Sequence, residues 1–444
     1  MVEIVAVGAA PVASAPVNPS ERIDAIDVLR GIALFGVLAI NVVNEFRVSI
    51  FEEFLPVADT TGTLDRAVQT FLTMAIELKA MALFSLLFGI GMAIQFERLA
   101  PNPRRGMLLV RRLAILLVIG VAHLFLIWNG DILTEYSLAG FIALPFLWGP
   151  RWLLAAGASV FLALYLVMPL LPPVVPWPTT AWITNHVAEA RQVYGTGGFL
   201  EILTFRIGET ASILPLHVFI LPRTIALFLF GMFVWRTDVI RRPATHRRLP
   251  ERFQAKWKPV RVEKTRQIKN LEPRFDSIET EKALVTVAIV GVVVGAALTI
   301  ASEEPALLGL PLPGRMGASL ERLATLLLAT GYAAAIIGFV STRPGKRLLA
   351  WAAPLGRMAF TNYLAQSVVF GWIFYGYGLG LFGRVGVVTA LAIGVCVYVA
   401  QVMISAQWLR YYRFGPIEWL WRSLMYGTAQ RLRIRQAIPS GTSA

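Results

Sequence analysis

Apolar residues in this chain fall in long, nearly unbroken blocks rather than in the short alternation of half-buried elements. Ten blocks are each long enough to cross a ~30 Å hydrocarbon core as a helix. They predict spans over 28–44, 69–96, 108–128, 131–148, 152–171, 211–235, 283–301, 323–341, 352–377 and 385–405. The apolar-out, polar-in alternation of an outer-membrane barrel is absent. The expected fold class is all-α: a polytopic transmembrane helical bundle of about ten spans.

Composition agrees. Of 444 residues, 56% are hydrophobic and 15% charged, against about 45–50% and about 25% in soluble domains. The net charge of +14 invites a nucleic-acid reading, but counting along the chain favours topology. With the N-terminus inside, inner segments hold 31 Lys and Arg and outer segments seven. This bias predicts both termini in the cytoplasm, so no nucleic-acid partner is expected and the basic excess reads as orientation in a membrane.

The organisation follows. Residues 1–27 form a disordered cytoplasmic tail whose first twenty residues lack the basic start of a signal peptide. A six-span bundle occupies 28–235, and a basic cytoplasmic linker, partly helical around 260–272, fills 236–282. A four-span bundle covers 283–405, and 406–444 form an amphipathic interfacial tail. The outer loop 172–210, opening PPVVPWP, is long enough for a partial lid. The lone cysteine, Cys396, forms no internal disulfide or thiolate metal site, and no metal site is expected.

Polar groups inside spans are costly and thus candidates for chemistry. Asp27 and Arg30 are three apart and can pair at the inner boundary, with Asn41 and Asn44 further across. Lys79 lies in the second span two residues from Glu77, a spacing that does not face the pair on a helix, and can snorkel outward. Gly89 and Gly91 permit close helix approach. The third and fourth spans form a hairpin turning at Asn129–Gly130. It carries His123 on one arm and Asp131 and Glu135 on the other, a general base with orienting carboxylates or a satisfied core histidine. Asp131 also suits a helix cap. Arg223 sits too deep in the sixth span to snorkel easily, beside Pro215, His217 and Pro222, as a ligand for a carboxylate or phosphate. Arg357, Asn362 and Gln366 form a polar stripe near the inner leaflet. No P-loop, dinucleotide fingerprint or nucleophile elbow occurs.

The segments DVLRGIALFGVLAIN, KAMALFSLLFGIG, HLFLIWNGDILTEYSLAG, GRMAFTNYLAQS and GPIEWLWR, in that order, resemble the YeiB-like bacterial inner-membrane proteins, whose C-terminal half is a domain of unknown function. The first span is also distantly similar to membrane acyltransferases. That likeness implies transfer from cytoplasmic acyl-CoA, a co-substrate rather than a bound cofactor, to a lipid, sugar or small-molecule acceptor. His123 would act as base, Asp131 or Glu135 would fix its tautomer, and Arg223, Asn41 and Asn362 would line the donor's path. Arg30, Arg357 and the linker would hold its phosphates, with Lys79 and Gln366 among the binding residues. The alternatives are a transporter or exporter of a small anionic or amphipathic compound bound by Arg223, and a non-catalytic membrane partner.

Overall fold

A computed structural model describes residues 24–56, 62–173, 175–237, 274–303 and 314–434. The expected tail before residue 24, the linker over 238–273 with its helix around 260–272, and the last ten residues lie outside the described residues. Among those described the chain is all-α, with one isolated bridge between Tyr412 and Arg433.

The helices are α1 (Asp24–Ile40), α2 (Thr63–Ala75), α3 (Lys79–Arg98), α4 (Arg105–Leu126), α5 (Leu133–Ala143), α6 (Arg151–Val167), α7 (Thr180–Thr196) and α8 (Phe199–Arg236). They continue with α9 (Arg274–Glu303), α10 (Gly314–Val340), α11 (Arg343–Leu349), α12 (Ala352–Arg357), α13 (Ala359–Phe374), α14 (Val387–Tyr411) and α15 (Pro416–Tyr426). Eight stretches are long and apolar enough to cross a membrane: Ala25–Phe46, Thr63–Arg98, Arg105–Leu126, Arg151–Leu170, Phe199–Arg236, Lys282–Glu303, Gly314–Val340 and Val387–Tyr411. The protein is therefore a multi-pass membrane bundle. The expected spans 131–148 and 352–377 are shorter helices, Leu133–Trp148 and the α12–α13 pair, which breaks at Met358.

Three departures from regular helix shape the interior. The first span ends in a widened π-helical turn, Asn41–Phe46, an irregularity that recurs at functional sites. The second span breaks between α2 and α3, where Leu78 takes a left-handed conformation at φ 57°, costly for a branched residue. Lys79, only 4% exposed, donates from Nζ to the Thr73 carbonyl at 2.9 Å and so satisfies the broken end of α2 rather than snorkelling outward. The third departure is in 172–210, read from sequence as a loop. It is mostly helix, as α7 and the first turns of α8. Its charged residues lower its mean hydropathy, yet Ile183, Val187 and Ile202 recur on buried faces.

One contiguous apolar core runs from Ile26 to Met425. α1 is enclosed by α3, α10, α12, α13 and α14, while α8 packs on α3, α5 and α6. α9 pairs with α10 and presents Val285, Ile289, Val293 and Ile300 outward, as a lipid-facing helix should. Lipid removes most of the hydrophobic drive for helix association, so close backbone approach takes its place. At the α3–α8 crossing, a Cβ on Gly89 would fall 2.2 Å from the Phe228 carbonyl oxygen, and one on Gly231 2.3 Å from that of Leu86.

Helix α15 is latched to α13. Glu418 accepts from the Phe360 and Thr361 backbone N–H groups at 2.9 and 3.1 Å and from the Thr361 hydroxyl at 2.5 Å. The carboxylate thus caps orphan donors of α13 from another element. Glu418→Ala should destabilise the protein by about 0.5–2 kcal/mol, read as a lower thermal midpoint in detergent. Burial holds the Glu418 carboxyl above its usual range, despite these donors. A folded pKa above the unfolded one means that protonation favours the docked state. Docking of α15 should therefore strengthen as pH falls through the folded pKa and weaken as pH rises through it.

Candidate functional site

The α4–α5 hairpin and α8 carry three layers of buried polar groups. In the first, His123 Nδ1 and Asp131 Oδ1 stand 2.8 Å apart. His123 is 1% exposed, and its Nε2 has no hydrogen-bond partner. Asp131 Oδ2 accepts from the Thr134 backbone N–H at 2.7 Å, so one carboxylate both caps α5 and orients the imidazole. The Trp128 and Tyr363 rings flank His123, with centroids at 6.1 and 5.4 Å. The Ile132 N–H donates to the Tyr363 hydroxyl oxygen at 3.4 Å. The turn needs a glycine for space: a Cβ on Gly130 would lie 2.0 Å from Glu45 Oε2 and 2.2 Å from the Trp128 ring.

Glu135, expected opposite His123, belongs to the second layer. Its Oε1 accepts from the Thr224 hydroxyl, and its Oε2 lies 3.5 Å from His217 Nδ1. His217 is the open member, with a third of its side chain exposed. Next to Thr224 on α8, Arg223 is 2% exposed and its Nε and Nη1 have no hydrogen-bond partner. Below it, the Tyr136 hydroxyl meets Ser85 Oγ at 2.8 Å and donates to the Met81 carbonyl at 3.1 Å.

The third layer lies beyond the hairpin tip. Glu209 receives His186 Nε2 at 2.7 Å, the Tyr194 hydroxyl at 2.7 Å and Asn129 Nδ2 at 2.5 Å. Burial, reinforced by this carboxylate, holds the Tyr194 phenol well above its ordinary pKa, so it stays a donor. His186 is sandwiched between Trp182 and Phe205, centroids 4.4 and 5.1 Å away. Arg206, 1% exposed, donates to the Phe125 carbonyl at 3.3 Å and faces the Tyr375 ring at 5.5 Å. This cluster grips both sides of the turn that holds the His123–Asp131 pair. Glu209→Ala would orphan three buried donors at once, for an expected loss of about 3–5 kcal/mol. A thermal melt of the purified variant checks this, and a midpoint equal to wild type would refute it.

The other expected residues are placed as follows. Arg30 lies 3.4 Å from Asp27. Asn41 is buried in the π-helical turn, its Oδ1 without a partner. Asn362 donates to Ser405 at 2.9 Å, and Gln366 to Gln401 at 2.8 Å, both across the α13–α14 contact. Arg357 ends α12, which packs on α1, and the glycine before it lies against the Asp27 carbonyl. The structure therefore brings His123 and Asp131 together, groups Glu135 with Arg223, and leaves Lys79, Asn362 and Gln366 to helix breaks and helix contacts. His186, Tyr194, Arg206 and Glu209 escaped the sequence reading. The available signal was the three-residue spacing of Arg206 and Glu209 just ahead of an apolar run, a helical register inside a segment set aside as loop.

Comparison with known proteins gives the family. A family model described as a protein of unknown function (DUF418) matches residues 274–428, which hold α13, α14 and α15. The relatives extend across the hairpin and α8 as well. The chain is 28% identical to the uncharacterized protein YeiB of Escherichia coli over 411 residues, covering 91% of this chain and 96% of that protein. It is 31% identical to the uncharacterized protein YxaH of Bacillus subtilis over 431 residues, covering 93% and 96%. An aligned length that takes in every layer of the site and both ends of the bundle makes this chain a member of the YeiB-like family of multi-pass membrane proteins.

Proposed function

We propose that the protein is an acyltransferase of the bacterial inner membrane, moving an acyl group from cytoplasmic acyl-CoA to a hydroxyl- or amine-bearing acceptor on the outer side. The observation that carries this reading is the buried His123–Asp131 pair with its unpartnered Nε2. Asp131 accepting from Nδ1–H leaves the lone pair on Nε2, the tautomer a general base needs. The acceptor's proton passes to Nε2 while its oxygen or nitrogen bonds the thioester carbonyl carbon. The C–S bond then breaks, and the departing thiolate takes the proton back from the imidazolium. Tyr363 accepts through its oxygen, so its hydroxyl hydrogen remains to stabilise the oxyanion. Closure of the site from water strengthens each of these interactions, and substrates must enter by displacing the Trp128 turn. Arg223 and Glu135 line the path between the pair and the inner half of the bundle.

The test is release of free thiol from acyl-CoA by the purified protein in lipid nanodiscs, with and without candidate lipid, sugar and small-molecule acceptors. Acceptor-dependent release that vanishes in His123→Ala is the expected result. Release unchanged in that variant sinks the role of His123.

One observation favours a second reading, carriage of a small anion: the two partnerless nitrogens of buried Arg223. Flux into proteoliposomes that is lost in Arg223→Ala and indifferent to His123→Ala would select it.

A further inference from the structure

The π-helical turn at the end of the first span meets the hairpin at its tip. Phe46 stacks on Trp128 at 4.7 Å, and Trp128 stands edge-on to His123 at 6.1 Å. Glu45, the residue before Phe46, reaches the same place. The Cβ built on Gly130 would lie 2.0 Å from its Oε2 and 2.7 Å from Trp128 Cε2, the ring atom bonded to Nε1. Gly130 adjoins Asp131, which holds the imidazole. Asn41 stands four residues before Glu45 in the same turn, a spacing that sets two side chains on one helical face.

Polar atoms around this point are buried without partners. Glu45 Oε2, Asn41 Oδ1, His123 Nε2 and Trp128 Nε1 each lack a hydrogen bond, and Asn41 is 4% exposed, His123 1% and Trp128 0%. Each orphaned group costs about 1–3 kcal/mol, which a bound ligand recovers. Among the described residues no cation pairs with Glu45. Arg47, two residues on, turns its Nε to the Val43 carbonyl at 3.0 Å, and Asn44 donates to Glu53 at 3.2 Å.

What the site lacks can be counted. With its proton on Nδ1, facing Asp131, His123 offers only a lone pair at Nε2. The set is then three acceptors, Nε2, Oδ1 and Oε2, and one donor, the indole N–H. A hydroxyl brings one hydrogen and would leave two acceptors bare. A primary ammonium brings three, with a positive charge that answers Glu45. No three His, Cys, Asp or Glu side chains among the described residues are grouped to hold a metal ion, so directional N–H donors suit the site better than a metal. The Trp128 N–H is left for the thioester carbonyl oxygen.

We propose that Glu45 and Asn41, with His123, form the acceptor site, and that the acceptor is a primary amine bound as its ammonium ion. This rests on the acyl-transfer reading, narrows its acceptor from hydroxyl or amine to amine, and moves Asn41 from the donor's path to the acceptor's. Glu45 takes the first proton and leaves a neutral amine. The nitrogen bonds the thioester carbonyl carbon as His123 Nε2 takes a second proton; the C–S bond breaks, and the thiolate receives that proton. Ammonium and thioester thus give amide, thiol and one proton, which Glu45 releases.

Titration calorimetry of benzylamine, in its charged form, into the protein in phosphatidylcholine nanodiscs tests it, with empty nanodiscs as the blank. Benzyl alcohol matches its shape with a single donor, and benzyltrimethylammonium keeps the charge without any N–H. Benzylamine is expected to bind at least about tenfold more tightly than either, and at least about tenfold more weakly to Glu45→Gln. Asn41→Asp, which adds a second carboxylate, should bind it more tightly than wild type. If Glu45→Gln does not fold, the probe series in wild type and the Asn41→Asp arm decide. Equal affinity for the three probes, no binding of benzylamine, or affinity unchanged in folded Glu45→Gln overturns the proposal. Glu45-dependent binding with no thiol release from acyl-CoA on adding benzylamine would leave the site standing and fail the acyl-transfer reading instead.

Discussion

Asp131→Asn is expected to lower acyl transfer nearly as far as His123→Ala, by roughly 10²–10⁴-fold. Asparagine is almost isosteric and can still accept from the Thr134 N–H, so the α5 cap survives. What changes is the partner of the imidazole. An amide side chain can turn its NH₂ toward Nδ1, which then becomes the acceptor, and the proton moves to Nε2 where a base needs its lone pair. The loss should therefore appear in kcat rather than KM, while the thermal midpoint stays near wild type. Asp131→Ala should lose both, since it also removes the cap. A thermally intact Asp131→Asn enzyme with full kcat would show that the carboxylate is a structural support and nothing more.

The second large effect is expected from a single methyl-bearing branch at the α3–α8 crossing. Gly89→Val places atoms within 2.2 Å of a backbone oxygen and 2.7 Å of a backbone Cα, both of Phe228. No side chain is available to rotate away, so the two helices must separate. Overpacking costs typically about 1–3 kcal/mol, and more when backbone has to move. Because α8 carries Glu209, His217 and Arg223, separation would also misalign the polar layers. Gly231→Val should behave alike, from the opposite helix. The contrast is Gly91→Ala, two residues along, where the added atom meets only the flexible end of Arg30 at 3.4 Å. Monodisperse yield and thermal midpoint in detergent should drop sharply for the first two and little for the third. Equal behaviour of all three would contradict the close crossing.

Much of the architecture was legible because lipid imposes a coarse rule: backbone polar groups must be satisfied within the segment, so long apolar blocks become helices. The Asn129–Gly130 turn, the His123 arm and the Asp27–Arg30 pair follow from spacing alone. Side-chain partnership was less legible. Six residues separate Glu135 from the turn on one arm and His123 from it on the other, which suggested that they face each other. The helix of α5 starts only at Leu133, however, and the irregular turn before it brings Asp131 to the imidazole instead. The third layer was hidden because Arg206 and Glu209 interrupt the apolar run that marks a span. A buried charge network looks, one residue at a time, like a loop. Arg112 was hidden differently: it counted as one more inner charge, and only α15 folding back onto α4 sets the Trp421 ring beside it.

The length of α8 has a mechanical consequence. At ~1.5 Å per residue its 38 residues make a rod of about 57 Å, well beyond the bilayer core. Along that rod sit Glu209, which grips the turn from outside, and Arg223, which faces the middle of the bundle. Pro215 and Pro222 lie between them, each leaving a backbone carbonyl unbonded and the shaft easier to bend. A ligand that pulls on either half therefore changes the leverage at the other. On the acyl-transfer reading, an acceptor at the Glu209 end and a donor at the other would need no wire of contacts between them; they would share one flexing shaft.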